Sequence, residues 1–254
     1  MNHYAVRQAN QMAGISRSRY VVPTDIRTTN IRALLSSTPR APLDAKQYSF
    51  LERGEGEGAR SYDLWLAGQV DLTAERCIAV IGARKASELG RKRARQLGRQ
   101  LAEEGVVVVS GLAEGVDTEA LTGAMEAGGR VIAVIGTPID QAYPAKNKAL
   151  QEAIYRDHLL ISKFAPGSRV FPSNFPARNR TMAAISDASV VIEASDTSGT
   201  LHQAAECQRL GKWLVIARSV VDNPDLTWPA KFVGQPKTII LESTNQLLGT
   251  VYKG

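Results

Sequence analysis

Short runs of Val, Ile and Leu alternate with amphipathic segments from residue 62 onward, and no other feature of the sequence constrains the fold as much. Most runs are continuously apolar, which is typical of strands buried on both faces of a sheet. They lie at residues 64–67, 77–82, 106–110, 131–136, 159–162, 190–193, 213–217 and 238–241. The helical patterns between them lie at 87–104, 118–127, 146–155, 178–187 and 200–210. This order predicts an α/β fold with a doubly wound, mostly parallel sheet.

Residues 1–60 lack this periodicity and are rich in Ser, Thr, Arg, Asn and Gly. They predict a basic, irregular and poorly structured N-terminal extension with one short helix near residues 25–35, followed by the α/β domain over 61–254. A solvated tail without a function fits the same composition. The extension holds nine Arg and Lys against five acids, and so carries +4 of the formal net charge of +6. An anion site in the domain must therefore be a local cluster of cations.

Several classes of protein are excluded by what the sequence lacks. No apolar run approaches the roughly 20 residues that cross a bilayer. The first twenty residues carry Arg7, Arg17 and Arg19 without the apolar stretch of a secretory signal. Cys77 and Cys207 have no short metal or redox spacing, and they are predicted to be buried, reduced thiols. We expect a cytoplasmic protein with no membrane contact.

Ligands of doubly wound sheets bind beyond the carboxyl ends of the strands, so the turns that follow the apolar runs are the candidate sites. The first turn contains Gly82, Arg84, Lys85 and Ser87. The glycine permits close approach of a ligand, the start of the next helix favours phosphate, and the guanidinium matches phosphate oxygens. An ordinary turn with two solvated cations is the alternative.

The second turn contains Ser110, Gly111, Gly115 and Asp117. It resembles neither a complete G-x-G-x-x-G fingerprint nor a P-loop, because no Gly-Lys-Ser/Thr follows. A fourth turn, at 194–201, is rich in small residues, and simple capping of the next helix is the alternative to ligand binding there. Its candidate ligand-binding residues are Ser198, Gly199 and Thr200.

The third segment, residues 162–180, places cations among aromatic rings. The cations are Lys163, Arg169, Arg178 and Arg180, and the rings are Phe164, Phe171 and Phe175. This mixture suits single-stranded nucleic acid, because cations follow the phosphates while an exposed ring stacks on a base. Burial of the Phe rings in the core is the alternative. The three histidines are scattered and no H-E-x-x-H, C-x-x-C or G-x-S-x-G is present, so no metal, cofactor or catalytic residue is predicted.

Several motifs occur together in an order and spacing that resemble the DNA-processing protein A (DprA/Smf) family. They are DLWLAG at 63–68, IGARKAS at 81–87, SGLAEGVD at 110–117, GGRVIAV at 128–134, YPAKN at 143–147, NFPARNR at 174–180, EA at 193–194 and SGTL at 198–201. The resemblance covers residues 63–217. It implies a Rossmann-like domain that binds single-stranded DNA in a basic pocket, without enzymatic activity. It also implies a homodimer and a RecA-type recombinase as partner.

The resemblance further implies roles for individual residues. Arg84 would contact phosphate, Ser110 and Gly111 would line the pocket, Phe175 would lie by a base, and Arg178 and Arg180 would shape or charge the rim. Lys163 stands where the family usually has Glu, which makes this site more basic.

Two other functions fit parts of the sequence. A nucleotide-binding or nucleotide-hydrolysing domain of the LOG-like group is the main alternative, because Ser198-Gly199-Thr200 is similar to part of that group's Gly-Gly-x-Gly-Thr-x-x-Glu element. Gln203 occupies the position of its Glu, which argues against N-glycosidic hydrolysis. A scaffold that binds proteins through its N-terminal extension would hold no ligand at the turns. The leading hypothesis predicts that the four turns form one electropositive crevice, with Arg84 and Phe175 on the same side.

Overall fold

A computed structural model describes residues 19–52 and 63–253, and it contains one nine-stranded sheet. The strands are β1 (Ile26–Asn30), β2 (Asp63–Gly68), β3 (Cys77–Gly82), β4 (Val107–Ser110), β5 (Val131–Ile135), β6 (Leu159–Ser162), β7 (Ala188–Glu193), β8 (Trp213–Ala217) and β9 (Thr238–Leu241). All eight strands predicted from the apolar runs are present. The α/β fold class is confirmed.

Helices connect most of these strands. They are α1 (Ile31–Ser36), α2 (Ala45–Glu52), α3 (Glu88–Glu103), α4 (Val116–Glu126), α5 (Lys148–Asp157), α6 (Asn174–Ala184), α7 (Thr200–Arg209), α8 (Arg218–Val221) and α9 (Thr244–Tyr252). Short 3-10 turns lie at Val70–Ala74, Ala145–Asn147 and Trp228–Lys231. Within the described ranges, no helix has both the length and the apolar character needed to cross a membrane.

The strand order is β1-β2-β6-β5-β4-β3-β7-β8-β9. From β6 to β9 all neighbouring strands are parallel, whereas β2 pairs antiparallel with both β1 and β6. The chain builds the sheet outward from β3 in one direction and then continues from β7 in the other. The order therefore reverses between β3 and β7, and a ligand crevice is expected at their carboxyl ends.

Strand β3 shows why continuously apolar runs form the centre of this sheet. Its residues alternate between two apolar cores, with Ala79 and Ile81 on one face and Ile78 and Val80 on the other. None of these four residues is more than 3% exposed. Helices α6 and α7 contribute to the first core and helices α3, α4 and α5 to the second. Each face of the sheet is therefore covered, as a parallel sheet requires.

Residues 26–52 have more regular structure than the sequence predicts. Strand β1 adds to the sheet edge, and α1 buries Leu34 in the core. After α1, Arg40 forms an ion pair with Asp187, with 2.8 Å between Nε and Oδ1. The segment predicted to be an irregular extension thus packs against the domain from β1 onward. Residues 1–18 and 53–62 lie outside the described residues, and the division of the chain near residue 60 stays a prediction.

Helices α3 and α4 touch backbone to backbone. A Cβ atom on Gly98 would lie 2.2 Å from the carbonyl oxygen of Ala120, and one on Gly123 would lie 2.1 Å from that of Arg95. Only glycine fits at either position. The turns that precede these two helices are consequently held at a fixed separation.

Candidate functional site

The turns after β3, β4 and β7 and the start of α6 converge on one cleft of about 780 Å³. A smaller cavity of about 230 Å³ adjoins it and shares part of its wall. The shared residues are Arg84, Lys85, Ala113, Phe175 and Arg178. The structure therefore brings together the four turns that the sequence singles out, at the edge of the sheet where the strand order reverses.

Arg84 and Phe175 lie on the same side of the molecule and touch. The Arg84 guanidinium carbon is 4.9 Å from the centroid of the Phe175 ring, within the range of a cation–π contact. Tyr143 packs on the same ring, with 5.7 Å between centroids. Phe175 also lies against the backbone of Gly136, where a Cβ atom would come within 2.6 Å of the ring. The ring is thus held between the smaller cavity and the main cleft.

Arg178 is buried behind this aromatic ring. It is 5% exposed and donates from Nη1 to the carbonyl oxygen of Val134 at 2.7 Å. Its Nε has no hydrogen-bond partner among the described residues. Gly111 leaves room for the guanidinium, since a Cβ atom there would lie 1.7 Å from Nη1. Arg178 therefore shapes the cleft wall and gives it charge from beneath the surface.

Asp117 balances part of that charge. Its carboxylate accepts the backbone N–H groups of Gly111 and Ala113 at 3.1 and 3.3 Å. Burial raises the pKa of Asp117, and the positive charge of Arg178 opposes that rise. The carboxylate is committed to the turn and to Arg178, so it does not act as an exposed acid in the cleft.

The start of α3 already holds a carboxylate of the protein itself. Glu193 accepts from the backbone N–H and the hydroxyl of Ser87 at 2.8 and 2.6 Å. The Ser87 hydroxyl in turn accepts from the N–H of Gly90 at 2.9 Å. The N–H groups of Ser87 and Gly90 are therefore already engaged, and phosphate binding at this helix start stays a prediction. The cations of the first turn are left to attract an anion.

Gly115 joins the first two turns. It adopts φ +77°, and a Cβ atom there would lie 2.3 Å from the carbonyl oxygen of Ala83. The next residue, Val116, donates its N–H to the same oxygen at 3.3 Å. A larger residue at 115 would push the second turn away from the first.

Most of the predicted site residues line these cavities. Gly82, Arg84, Lys85, Phe175, Arg178, Ser198, Gly199 and Thr200 line the cleft, and Gly111 lines the smaller cavity. Ser198 Oγ donates to Thr200 Oγ1 at 2.8 Å and accepts from the N–H of Thr200 at 3.2 Å, so the polar groups of the fourth turn also bond to one another. Whether these residues bind DNA stays a prediction.

Four predicted residues line neither cavity. Ser110 is fully buried and donates to the carbonyl oxygen of Val80 at 2.7 Å. Lys163 points its amine toward the carbonyl oxygen of Leu51 at 3.3 Å. Arg169 is exposed on the loop before α6. Ser110 and Lys163 are thus engaged away from the cleft, which corrects the expected pocket, whereas DNA binding by the exposed Arg169 stays a prediction.

Arg180 is the fourth, and it lies on the far side of α6 from the cleft. It is 7% exposed, and its guanidinium approaches the carbonyl oxygen of Phe50 at 3.5 Å. The sequence pattern predicts this helix only from residue 178, but α6 begins at Asn174. Two residues along a helix turn through about 200°, so Arg178 and Arg180 must face opposite sides.

The cleft and the smaller cavity also contain residues that the sequence analysis does not name as binding residues. Tyr143 belongs to the YPAKN motif, so a signal for it existed. Arg93 lies one and a half turns into α3 and lines the cleft. Ser219 and Asn223 follow β8 and close its far end, and nothing in their local sequence marks them.

The charge of the cleft is positive. Its lining includes the cations Arg84, Lys85, Arg93 and Arg178 and the acids Asp117 and Glu193. Both acids are tied to N–H or hydroxyl donors of the protein. Over residues 19–52 and 63–253, neither Lys85 nor Arg93 forms an ion pair, and both side chains are exposed. The site is thus an electropositive crevice with an aromatic ring in its wall.

Gln203 lies in the wall of this crevice, but its side chain is engaged by the protein itself. It is 1% exposed, and its side-chain amide lies 3.2 Å from the hydroxyl of Ser189. The side chain is therefore engaged between α7 and the sheet.

Comparison with known proteins gives one consistent result. A sequence model of a family described as DNA recombination-mediator protein A matches residues 46–248. DNA processing protein DprA of Streptococcus pneumoniae is 43% identical over 161 residues, which cover 63% of this chain and 57% of that protein. Protein Smf of Synechocystis is 33% identical over 174 residues, which cover 68% of this chain and 44% of that protein. The chain spans about half the length of the curated relatives it matches.

Solved structures agree in fold. The X-ray structure of DprA from Streptococcus pneumoniae superposes with a TM-score of 0.68 at 34% identity, covering 74% of this chain and 66% of that one. A structure of DNA processing protein A from Helicobacter pylori, described in terms of its single-stranded DNA binding mode, superposes with a TM-score of 0.70 at 23% identity. It covers 90% of this chain and 96% of that one. At that identity the second likeness concerns the fold alone.

Proposed function

This chain belongs to the DNA recombination-mediator protein A family, and from that premise we propose that it binds single-stranded DNA in the cleft and acts in DNA processing and recombination. The match covers most of the chain and includes every turn that lines the cleft. We further infer that it acts by binding rather than by catalysis, and that it works in the cytoplasm.

The contact between Arg84 and Phe175 is the observation that carries this proposal. It places an exposed cation beside an aromatic ring at the wall of an open crevice. A base that stacks on such a ring gains about 1–3 kcal/mol, and a neighbouring cation attracts its phosphate. Neither interaction depends on the identity of the base. We therefore expect the protein to bind single strands of any sequence.

Fluorescence anisotropy with labelled oligonucleotides tests the proposal. The full chain should bind a single strand more tightly than a duplex or a free nucleotide, because only an unpaired strand offers both bases and phosphates to the cleft. Replacement Arg84→Ala should weaken single-strand binding about tenfold, as loss of one charge-assisted phosphate contact predicts.

Arg130→Ala is the matched control. Arg130 is about half exposed and directly precedes β5, so it lies at the amino edge of the parallel strands, away from the cleft. It removes the same charge from the other edge of the sheet. Equal losses for the two variants would show that only net charge matters, and would overturn the proposed site.

A LOG-like nucleotide hydrolase would behave differently. It would bind nucleoside monophosphates more tightly than single strands, and it would release free base. The engagement of Gln203 with Ser189 supports a binding function over this alternative. Chromatography of the protein incubated with nucleoside monophosphates should therefore show no free base.

We also propose that the protein forms a homodimer and delivers DNA to a RecA-type recombinase, as its family membership suggests. Multi-angle light scattering should give twice the mass of one chain. A purified recombinase of this type should load faster on a strand bound by the protein. A monomeric mass would overturn the homodimer. An unchanged rate of loading would overturn the delivery of DNA to the recombinase.

A further inference from the structure

We propose that the cleft contains a second nucleotide subsite, formed by Arg93, Ser219 and Asn223 at the β8 end. This inference rests on the proposed function, because it extends the path of the same DNA strand. The strand would pass Phe175 and Arg84 and continue toward β8. The phosphate of a further nucleotide would then meet Arg93.

The length of the crevice requires more than one nucleotide to fill it. Phe175 packs on Gly136, just after β5, whereas Ser219 follows β8. Four strand spacings separate β5 from β8 in the order β5-β4-β3-β7-β8. At about 4.8 Å each, they span about 19 Å. Stacked nucleotides rise by about 3.4 Å each, so one nucleotide at Phe175 leaves the β8 end empty.

Arg93 is placed to serve that end of the crevice. It lines the larger cleft but not the smaller cavity around Tyr143. Two turns further along the same face of α3, Gln100 accepts a hydrogen bond from Thr244 of α9, at 2.7 Å. This face of α3 is therefore turned toward the β8–β9 side of the sheet, away from Phe175.

Arg93 is also the cation available for an anion at this end. Arg218, the nearest cation in sequence to Ser219, is bound to Glu242 and approaches Asp222 at 3.8 Å. Lys92, beside Arg93 on α3, pairs with Glu88 at 2.7 Å. Arg93 has no such pair within residues 19–52 and 63–253.

Ser219 and Asn223 supply neutral hydrogen-bond donors. The side-chain carbonyl oxygen of Asn223 accepts from the N–H of Asp225 at 3.0 Å, and among the described residues nothing accepts from its amide group, which can donate to a ligand. The half-buried side chain of Leu226 lies in the same wall and offers apolar surface to a base. A guanidinium, a hydroxyl and an amide beside an apolar patch match the phosphate and base of one nucleotide.

Anisotropy titrations with oligothymidylates of increasing length test the subsite on the full chain. Arg84→Ala should weaken binding at every length. Arg93→Ala should leave the shortest binding oligonucleotide unaffected and weaken longer ones about tenfold. For these longer ones, the slope of log affinity against log salt should become shallower by about 0.7.

Asn223→Asp provides an independent test. The new carboxylate keeps an acceptor for Asp225 N–H, so the turn is preserved, but it replaces a donor with a negative charge. It should show the same dependence on length as Arg93→Ala. Arg99→Ala is the control, because Arg99 is exposed on the same helix and lies outside the cleft lining.

The outcomes separate the two proposals. If Arg84→Ala weakens binding while Arg93→Ala and Asn223→Asp change nothing at any length, the subsite is overturned and the proposed function stands. Equal effects of Arg93→Ala and Arg99→Ala would also overturn the subsite. Failure of the wild-type protein to bind any single strand would overturn both.

Discussion

Gly111 is the residue at which a single methyl group should disturb the site most. Its Cβ atom would overlap the guanidinium of Arg178, which cannot move away cheaply because it is buried and bonded to the carbonyl oxygen of Val134. We expect Gly111→Ala to lower the free energy of unfolding by about 1–3 kcal/mol, as overpacking does. Urea denaturation measures this change.

Gly199→Ala is the control for that experiment. Gly199 has a φ of −59°, and no atom of the described part of the chain lies within 4 Å of the position that an alanine methyl group would take. Alanine therefore fits both the backbone and the space. Its stability should stay within about 0.5 kcal/mol of the wild type. A loss at Gly199→Ala as large as at Gly111→Ala would contradict the steric explanation.

The two thiols give a prediction about pH. Cys77 and Cys207 are fully buried and free, and burial raises the pKa of each from 9.0 to about 12. Iodoacetamide at neutral pH should therefore label neither thiol in the folded protein and both in urea, as measured by mass spectrometry. The unfolded chain forms thiolates first, so the stability that the thiols contribute is present below pH 9.0 and is lost as the pH rises toward about 12.

Rapid labelling of either thiol in the native protein would contradict this prediction. The free energy of unfolding of the wild type should fall between pH 9.0 and about 12 by more than that of Cys77→Ala. Equal changes in the two proteins would contradict the predicted pH dependence.

For single residues, the sequence predicts which turns reach the cleft better than it predicts the direction of each side chain. Gly82, Arg84 and Phe175 follow from the position of their turns. Ser110 is the last residue of a strand, where a side chain can turn toward the crevice or the core, and only the nearby carbonyl oxygen of Val80 decides. The resemblance assigns Arg180 to the rim together with Arg178, but it does not show which side of α6 each residue takes.

Among the elements, the segment after α1 should contribute strongly to stability through Arg40. Its side chain is 5% exposed; it pairs with Asp187 and donates to the carbonyl oxygens of Thr73 and Glu75. Arg40→Ala leaves the carboxylate of Asp187 without its ion partner in a largely buried place. We expect a loss of about 3–5 kcal/mol in the free energy of unfolding, measured by urea denaturation.

Arg130→Ala again serves as the control. It removes an ion pair with Glu75 whose side chains are both about half exposed, at 3.4 Å. Such pairs contribute at most about 1 kcal/mol. If both variants lose the same small amount, Arg40 does not fasten the extension to the domain.

The elements themselves divide into those that the sequence predicts and those that it does not. Strands β2 to β9 follow from continuous apolar runs, because burial on both faces leaves a pattern that polar residues do not interrupt. Strand β1 reads Ile-Arg-Thr-Thr-Asn and is an edge strand. Its stability comes from pairing with β2, so its own sequence carries little signal.

For the whole molecule, the charge distribution predicts a modest dependence of DNA affinity on salt. Three exposed cations line the cleft, namely Arg84, Lys85 and Arg93. If each neutralises one phosphate, the slope of log affinity against log salt is about −2 for a single strand. Anisotropy titrations over a range of NaCl concentrations measure it.

A slope near zero would show that phosphates do not contribute. A slope several times steeper would show that cations outside the cleft, such as those of the basic extension, share in binding. Composition does not predict how steep the salt dependence is, because the net charge of +6 does not show which cations lie together at the cleft. The sheet order, which brings the turns after β3 and β7 together, decides that.

The backbone contact between α3 and α4 at Gly98 and Gly123 has a consequence for how a ligand is received. α3 continues from the turn after β3 and α4 from the turn after β4, so these two turns of the cleft cannot part unless the helices separate. Close-packed backbones resist such sliding. A DNA strand that enters the cleft therefore loses conformational entropy, whereas these two turns of the protein lose almost none. This part of the cleft is therefore preorganised, with the same shape before and after a ligand binds.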